Sequence, residues 1–152
     1  MSKGDIAKSY FEQGYNCSQA VALAFADEIG MDSNMIARLT GGFGGGMGRM
    51  REVCGTVSGT AFVLSALYGY SDPKDNETKA KLYNQIQKVA GEFKDENGSV
   101  VCRELLGLTK NGFDNPQPEK RTDKYYKKRP CGELVKMSAD ILEKFIADNS
   151  QK

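Results

Sequence analysis

The stretch Asn16-Cys17-Ser18-Gln19-Ala20-Val21-Ala22-Leu23-Ala24-Phe25-Ala26 decides the fold class. Its residues are apolar on nearly every side of a helix, which predicts a buried helix over residues 17–29. Asn16 is a competent N-cap, because its side chain can accept a backbone N–H of the first turn. No alternating strand pattern persists elsewhere in the chain. The sequence therefore predicts an all-α fold.

Apolar residues at helical spacing predict further helices, and polar residues predict the segments between them. The further helices cover residues 5–13, 33–39, 52–68, 75–94, 100–106 and 131–147. Residues 108–130 are mostly polar and are predicted as a loop before the last helix. With 152 residues and no internal repeat, the chain is predicted to be one domain over 1–152, a bundle of about six helices.

Four cysteines in a chain without histidine are the main chemical signal. Each is predicted to lie in the first turn of a helix, where unpaired N–H groups and the helix dipole favour thiolate. We therefore expect the four sulfurs to converge. The four are Cys17, Cys54, Cys102 and Cys131.

The absence of histidine and the cysteine spacing exclude several kinds of site. Without histidine, neither a Ser-His-Asp triad nor a Cys-His pair can form. Without Cys-x-x-Cys, a zinc ribbon and a thioredoxin-type pair are disfavoured. Any nucleophile must then be activated by helix dipoles, by a metal or by nearby Lys or Arg. The arginines expected to supply positive charge are Arg49, Arg51, Arg103 and Arg129.

The glycine cluster Gly41-Gly-Phe-Gly-Gly-Gly-Met-Gly48 is predicted to interrupt regular structure before the helix with Cys54. It matches neither Gly-x-Gly-x-x-Gly nor the Walker pattern, so a nucleotide loop is disfavoured. We expect it to shape a pocket over the sulfur, although a flexible surface loop is the alternative. The residues predicted to bind a cofactor there are Gly45, Gly46, Gly48 and Arg49.

The charge balance gives no reason to expect binding to nucleic acid or to a membrane. Lys and Arg total 21 against 20 Asp and Glu, a net charge of +1. The basic tract 120–129 is predicted to be a solvated loop. The apolar run 56–70 is too short and too polar to span a bilayer. No secretory signal is visible at the N-terminus, so we expect a reducing cytoplasmic setting.

The cysteines lie in four recognisable stretches of sequence. These are Gly14-Tyr-Asn-Cys17-Ser-Gln-Ala20, Gly44-Gly-Gly-Met-Gly-Arg49 leading into Cys54-Gly-Thr-Val-Ser-Gly59, Cys102-Arg-Glu-Leu-Leu106 and Pro130-Cys131. In this order the chain resembles the family named for the pattern C, GCAxxG, C, C, a group of small all-helical proteins found largely in anaerobic bacteria and archaea. Val53 and Gly55 depart from the pattern, which has glycine and alanine there.

The resemblance implies redox activity that depends on the four cysteines. A related domain occurs beside the haem-binding part of split-Soret cytochromes, where the corresponding cysteines are associated with an iron–sulfur centre. By resemblance, Cys17, Cys54, Cys102 and Cys131 are candidate ligands of an iron–sulfur cluster or another thiolate-bound metal. Covalent haem is excluded, because the chain has no Cys-x-x-Cys-His.

The sequence thus predicts a redox-active or electron-transfer protein with an unknown redox partner. Its four cysteines would be the catalytic groups, acting either as metal ligands or as a reversible dithiol/disulfide set. The alternative is a non-catalytic structural or binding domain with a zinc site or buried, inert cysteines.

Overall fold

The computed structural model describes residues 1–108, 112–128 and 130–150, and this part of the chain is all-α, as predicted. Among the residues that the structure describes, six helices have seven residues or more, and the remaining helices have six residues or fewer. None of the helices described is long and apolar enough to cross a membrane. In chain order the helices are α1 (Lys3–Glu12), α2 (Cys17–Leu23), α3 (Ala26–Ile29), α4 (Ser33–Thr40), a 3-10 turn (Gly41–Phe43), α5 (Gly44–Met47), α6 (Gly55–Tyr68), α7 (Asn76–Asn97), α8 (Cys102–Leu105), α9 (Asp123–Lys128) and α10 (Cys131–Ser150).

Helix α2 lies at the centre of the bundle, in contact with α1, α4, α6 and α10. Its apolar residues, from Ala20 to Leu23, are all buried. Its start is capped as predicted: Asn16 Oδ1 accepts the N–H of Gln19 at 2.9 Å, and Gln19 Oε1 accepts the N–H of Asn16 at 3.0 Å. The cap and the burial together fix where Cys17 begins the helix.

The helix predicted over residues 17–29 is divided into α2 and α3. The N–H of Phe25 donates to Ala22 O at 3.1 Å, one residue closer than in an α-helix, and its backbone leaves the helical region at φ −109 and ψ 19. The Phe25 side chain is 1% exposed. The helix is therefore interrupted at Phe25, whose aromatic ring is buried in the core.

Helix α6 begins at Gly55, whereas the predicted helix began at residue 52. The preceding residues are extended and pair in antiparallel fashion with residues 100–103. The N–H of Cys54 donates to Val100 O at 2.7 Å, and the N–H of Cys102 donates to Glu52 O at 2.6 Å. Long-range pairing replaces the first helical turn, and it brings two cysteine-bearing segments side by side.

Two glycines let α6 approach α2 closely. A Cβ at Gly59 would lie 2.8 Å from the carbonyl oxygen of Ser18, and one at Gly55 would collide with Cys17 Sγ. Real Cβ atoms do not come this near, so glycine is required at both crossings. The close packing places the start of α6 directly against Cys17.

The glycine cluster is more ordered than the predicted interruption. It contains the 3-10 turn and α5, but the backbone is left-handed from Gly45 to Arg49, with φ between 55° and 70°. Arg51 also has a positive φ of 61°. Left-handed backbone costs non-glycine residues roughly 1–2 kcal/mol each, so the backbone is strained at Met47, Arg49 and Arg51. The path of the loop is thus held by its surroundings.

The segment predicted as a polar loop over 108–130 contains the short helix α9. The N–H of Tyr125 donates to Thr122 Oγ1 at 3.2 Å, which caps its start. Arg121 donates to the carbonyls of Phe11 and Tyr15, and Tyr126 packs edge-on against Phe11. Packing against the end of α1 thus stabilises a helix that polar sequence alone does not indicate.

Candidate functional site

All four cysteines line one cavity, so the predicted convergence is present. The cavity is small, with a volume of about 30 Å³. Cys54 and Cys102 are buried, whereas Cys17 and Cys131 are half-buried, and none of the four is in a disulfide. The remaining lining residues are Arg51, Gly55, Thr56, Leu105, Leu106 and Leu134.

Each cysteine reaches the cavity at the start of a different helix. Cys17, Cys102 and Cys131 are the first residues of α2, α8 and α10. Cys54 is the N-cap residue of α6 and lies just outside its first turn. The prediction of four first-turn positions is therefore correct for three cysteines and one residue off for Cys54, because its segment pairs with residues 100–103.

The glycine loop lies against the cavity, as expected. A backbone hydrogen bond from Gly45 reaches the sulfur of Cys17. Gly46 is buried, and a Cβ there would lie 2.6 Å from Cys102 Cβ. Two of the predicted cofactor-binding residues are thus at the sulfurs, while Gly48 is exposed and Arg49 is absent from the cavity lining.

Arg51 brings a positive charge into the cavity. Its side chain is 7% exposed, and Nη1 donates to Cys102 Sγ at 3.7 Å. The opposite edge of the guanidinium donates to Asp114 Oδ2, from Nε at 3.2 Å and from Nη2 at 3.1 Å. Hydrogen bonds to Cys102 and Asp114 outweigh burial and raise the pKa of Arg51. The group is a permanent cation held against one sulfur.

The other arginines expected at the site have different positions. Arg49 donates from Nη2 to Asp114 Oδ2 at 3.3 Å and from Nε to Asn115 O at 2.6 Å. Arg103 donates to two backbone carbonyls, Met50 O at 3.2 Å and Gly112 O at 3.3 Å. Arg129 lies outside the described residues. Among the described arginines, only Arg51 lines the cavity.

Burial works against the expectation that helix ends make these cysteines thiolates. Desolvation raises the pKa of Cys54 to about 12, and the neighbouring sulfur of Cys17 adds to the rise. Desolvation also raises the pKa of Cys17, although the hydrogen bond from Gly45 lowers it in part. These two groups are therefore thiols at neutral pH. The expectation was wrong for them because burial outweighs the partial charge of a helix end.

Cysteine sulfurs and carboxylates are the side chains of this site that could bind a metal. Within the described residues, no three Cys, Asp or Glu side chains form a group that could hold a metal ion. A metal or an iron–sulfur cluster held by these cysteines, which are its usual ligands, therefore stays a prediction.

Larger grooves occur away from the cysteines. One of about 570 Å³ lies between α7 and α10. Its lining is mostly acidic and includes no cysteine: Glu92, Asp95, Glu96, Glu133, Lys136, Met137, Asp140 and Ile141. Its size alone does not make it the functional site, because it contains no nucleophilic thiol.

Comparison with known proteins identifies the family. A family model described as "Putative redox-active protein (C_GCAxxG_C_C)" matches residues 15–145. This match covers most of the chain and includes all four cysteines, so the chain belongs to that family. No curated protein and no solved structure matched the chain.

Asp114 is the residue at the site that sequence reasoning missed. It lies in the segment predicted as a polar loop and is 63 residues from Arg51 along the chain. Its backbone N–H donates to Arg49 O at 3.0 Å, which anchors its segment on the glycine loop. No local pattern marks this contact, since one aspartate among polar residues has no distinctive spacing.

Proposed function

We propose that this protein carries out redox chemistry through its four-cysteine cavity, by reversible oxidation of two thiols to a disulfide. The observation that carries the proposal is that four thiols from separate parts of the chain line one cavity. Four cysteines buried independently in a core would have no reason to meet. Their meeting is also consistent with the description of the family.

The reaction is an exchange with a disulfide-bearing partner. One cavity thiolate attacks a partner sulfur, the partner S–S bond breaks, and a mixed disulfide forms as the departing sulfur takes up a proton. A second cavity thiol then loses its proton and attacks the mixed disulfide, releasing the second partner sulfur. Two protein thiols have then lost two electrons and two protons, and the partner disulfide has gained them.

The cavity supports the exchange in two ways. Leu105, Leu106 and Leu134 line the cavity beside the sulfurs and give a partner disulfide an apolar surface to contact. Arg51 supplies positive charge where a thiolate must form. In a reducing cytoplasm the dithiol would be the resting form, which a partner disulfide oxidises.

A metal-bound form is a second candidate, and the gathering of four sulfurs favours it. Cysteine thiolates are the usual ligands of iron–sulfur clusters and of structural zinc. The described residues would contribute Cys17, Cys54, Cys102 and Cys131, with Arg51 offsetting part of their negative charge.

Anaerobic purification followed by metal analysis and thiol titration separates these candidates. The dithiol proposal predicts protein without stoichiometric iron or zinc, and reversible loss of two thiols as the glutathione redox potential is raised. Stoichiometric iron with sulfide and visible absorption would instead establish a cluster. Stoichiometric zinc without a redox response would support a structural site. Four thiols that stay reduced throughout, without metal, would indicate inert core residues.

A further inference from the structure

Among Cys17, Cys54 and Cys102, one sulfur is held differently from the other two. Cys102 Sγ receives a hydrogen bond from the Nη1 of Arg51, at 3.7 Å. Cys54 instead lies against a neutral hydroxyl, with 3.2 Å between its Sγ and Thr56 Oγ1. Cys17 receives a backbone hydrogen bond from Gly45. Among these three contacts, only the one to Cys102 comes from a charged group.

The guanidinium is held in place from its opposite side. Two of its nitrogens donate to the same oxygen of Asp114, at 3.1 and 3.2 Å, and the third points to Cys102. A planar group held by two contacts to one oxygen has little freedom to rotate. The backbone of Arg51 has a positive φ of 61°, a strained conformation that the surrounding loop maintains. The carboxylate therefore aims the guanidinium at the sulfur.

Asp114 is itself set by the glycine loop. Its backbone N–H donates to Arg49 O at 3.0 Å, and its Oδ2 also accepts from Arg49 Nη2 at 3.3 Å. The hydrogen bonds of Arg51 and the charge of Arg49 lower the pKa of Asp114. The carboxylate is therefore ionised when it faces Arg51, as the arrangement requires.

We propose that Cys102 is the sulfur that attacks the partner disulfide, with Arg51 as the catalytic group at that sulfur and Asp114 as the residue that positions Arg51. This inference rests on the proposed function and assigns the first step of its exchange. Cys102 attacks, the partner S–S bond breaks, and the leaving sulfur departs with the electron pair and takes up a proton. The guanidinium faces the attacking sulfur while it carries negative charge.

The test uses 2-hydroxyethyl disulfide, a small neutral probe whose rate is not biased by its own charge. Reduced protein is mixed with the probe, quenched at short times with acid and N-ethylmaleimide, and mapped by peptide mass spectrometry. In the unaltered protein the first mixed disulfide should be on Cys102. A first adduct on another cysteine would overturn the assignment.

Substitution of Arg51 measures the contribution of its charge. A hydrogen bond to a charged group contributes about 1.5–3 kcal/mol, so Arg51→Met should slow the reaction of Cys102 by about 10-fold to 100-fold. Arg51→Lys keeps the charge and should recover part of the rate. Helical content, measured by circular dichroism, shows whether each variant folds. Folded Arg51→Met lacks the positive charge, and folded Arg51→Lys lacks the planar fork of the guanidinium. If Cys102 reacted in either variant as fast as in the unaltered protein, the role of Arg51 would be overturned.

Asp114→Asn and Glu52→Gln form a matched pair for the positioning role. Each removes one negative charge near the cavity, but Glu52 is half exposed and pairs with Arg103 at 3.8 Å rather than with Arg51. Loss of a nearby negative charge alone should stabilise negative charge on the attacking sulfur and speed its reaction. We expect Asp114→Asn to slow Cys102 nonetheless, and Glu52→Gln to leave it unchanged or slightly faster. Equal effects of the two substitutions would refute positioning by Asp114.

Failure of this inference can be told apart from failure of the proposed function. A reversible disulfide that forms through another sulfur, or at a rate independent of Arg51, would refute only the inference. The absence of any disulfide at equilibrium with glutathione would refute the proposed function and the inference together.

Discussion

Replacement of Gly46 by alanine tests whether the glycine loop is built to fit the cysteine site. The residue has φ +70°, and an added Cβ would lie 2.6 Å from Cys102 Cβ, 2.7 Å from Glu52 N and 2.8 Å from Arg51 Cα. Left-handed backbone costs a non-glycine residue roughly 1–2 kcal/mol, and overpacking adds about 1–3 kcal/mol. We therefore expect Gly46→Ala to lower the free energy of unfolding by about 2–5 kcal/mol.

Gly48→Ala is the matched control. Its φ of +55° carries the same backbone strain, but the nearest atom to an added Cβ is Gly42 O at 4.0 Å. It should therefore cost only about 1–2 kcal/mol. Urea titration gives both values from the midpoint and slope, and only Gly46→Ala should also change the reaction rate of Cys102. Equal destabilisation of the two variants would refute the claim that Gly46 is held against the site.

Three further predictions follow from packing, ionisation and exchange. Gly55→Ala should lower the free energy of unfolding by about 1–3 kcal/mol, because its Cβ collides with Cys17 Sγ. Gly91→Ala, with no atom within 4 Å of its Cβ, should raise that free energy by about 0.5–1 kcal/mol. Urea midpoints that shift in the same direction for both variants would contradict this. Because burial raises the pKa of Cys54 to about 12, unfolding releases its proton between about pH 8.5, where an exposed thiol ionises, and pH 12. The free energy of unfolding should fall with rising pH across that window, and an equally steep fall in Cys54→Ala would disprove the assignment. Cys102→Ser should slow oxidation of the protein by glutathione disulfide, and adding Cys17→Ser should slow it little further. If the fold-reductions in rate of the two single variants multiplied in the double variant, the two cysteines would act as independent sites.

Much of the fold was predictable because it depends on local signals. The apolar pattern of residues 20–26 and the cap at Asn16 identify the central helix, and the structure confirms both. The extended segment before α6 was not predictable, since it exists only through pairing with residues 100–103, nearly fifty residues away along the chain. Helix α9 was missed for the same reason, because its stability depends on packing against α1.

The convergence of the four sulfurs could be predicted from the sequence, but their pKa values and charged neighbours could not. Helix starts and the order of the four cysteines predicted their convergence, and the four do line one cavity. Their pKa values could not be predicted, because the extent of burial depends on how closely α2 and α6 pack. The partner of Arg51 was equally hidden, since Asp114 reaches it through the fold rather than through sequence spacing.

The central claim is that cavity thiols are oxidised reversibly to a disulfide. It is tested most directly by equilibrating metal-free protein with oxidised glutathione and mapping the linked cysteines by peptide mass spectrometry. The account predicts one disulfide between two of the four cavity cysteines, at a mass lower by two hydrogens, and its complete reversal by excess dithiothreitol. Persistence of four separate thiols, or adducts with glutathione alone and no internal disulfide, would contradict the account.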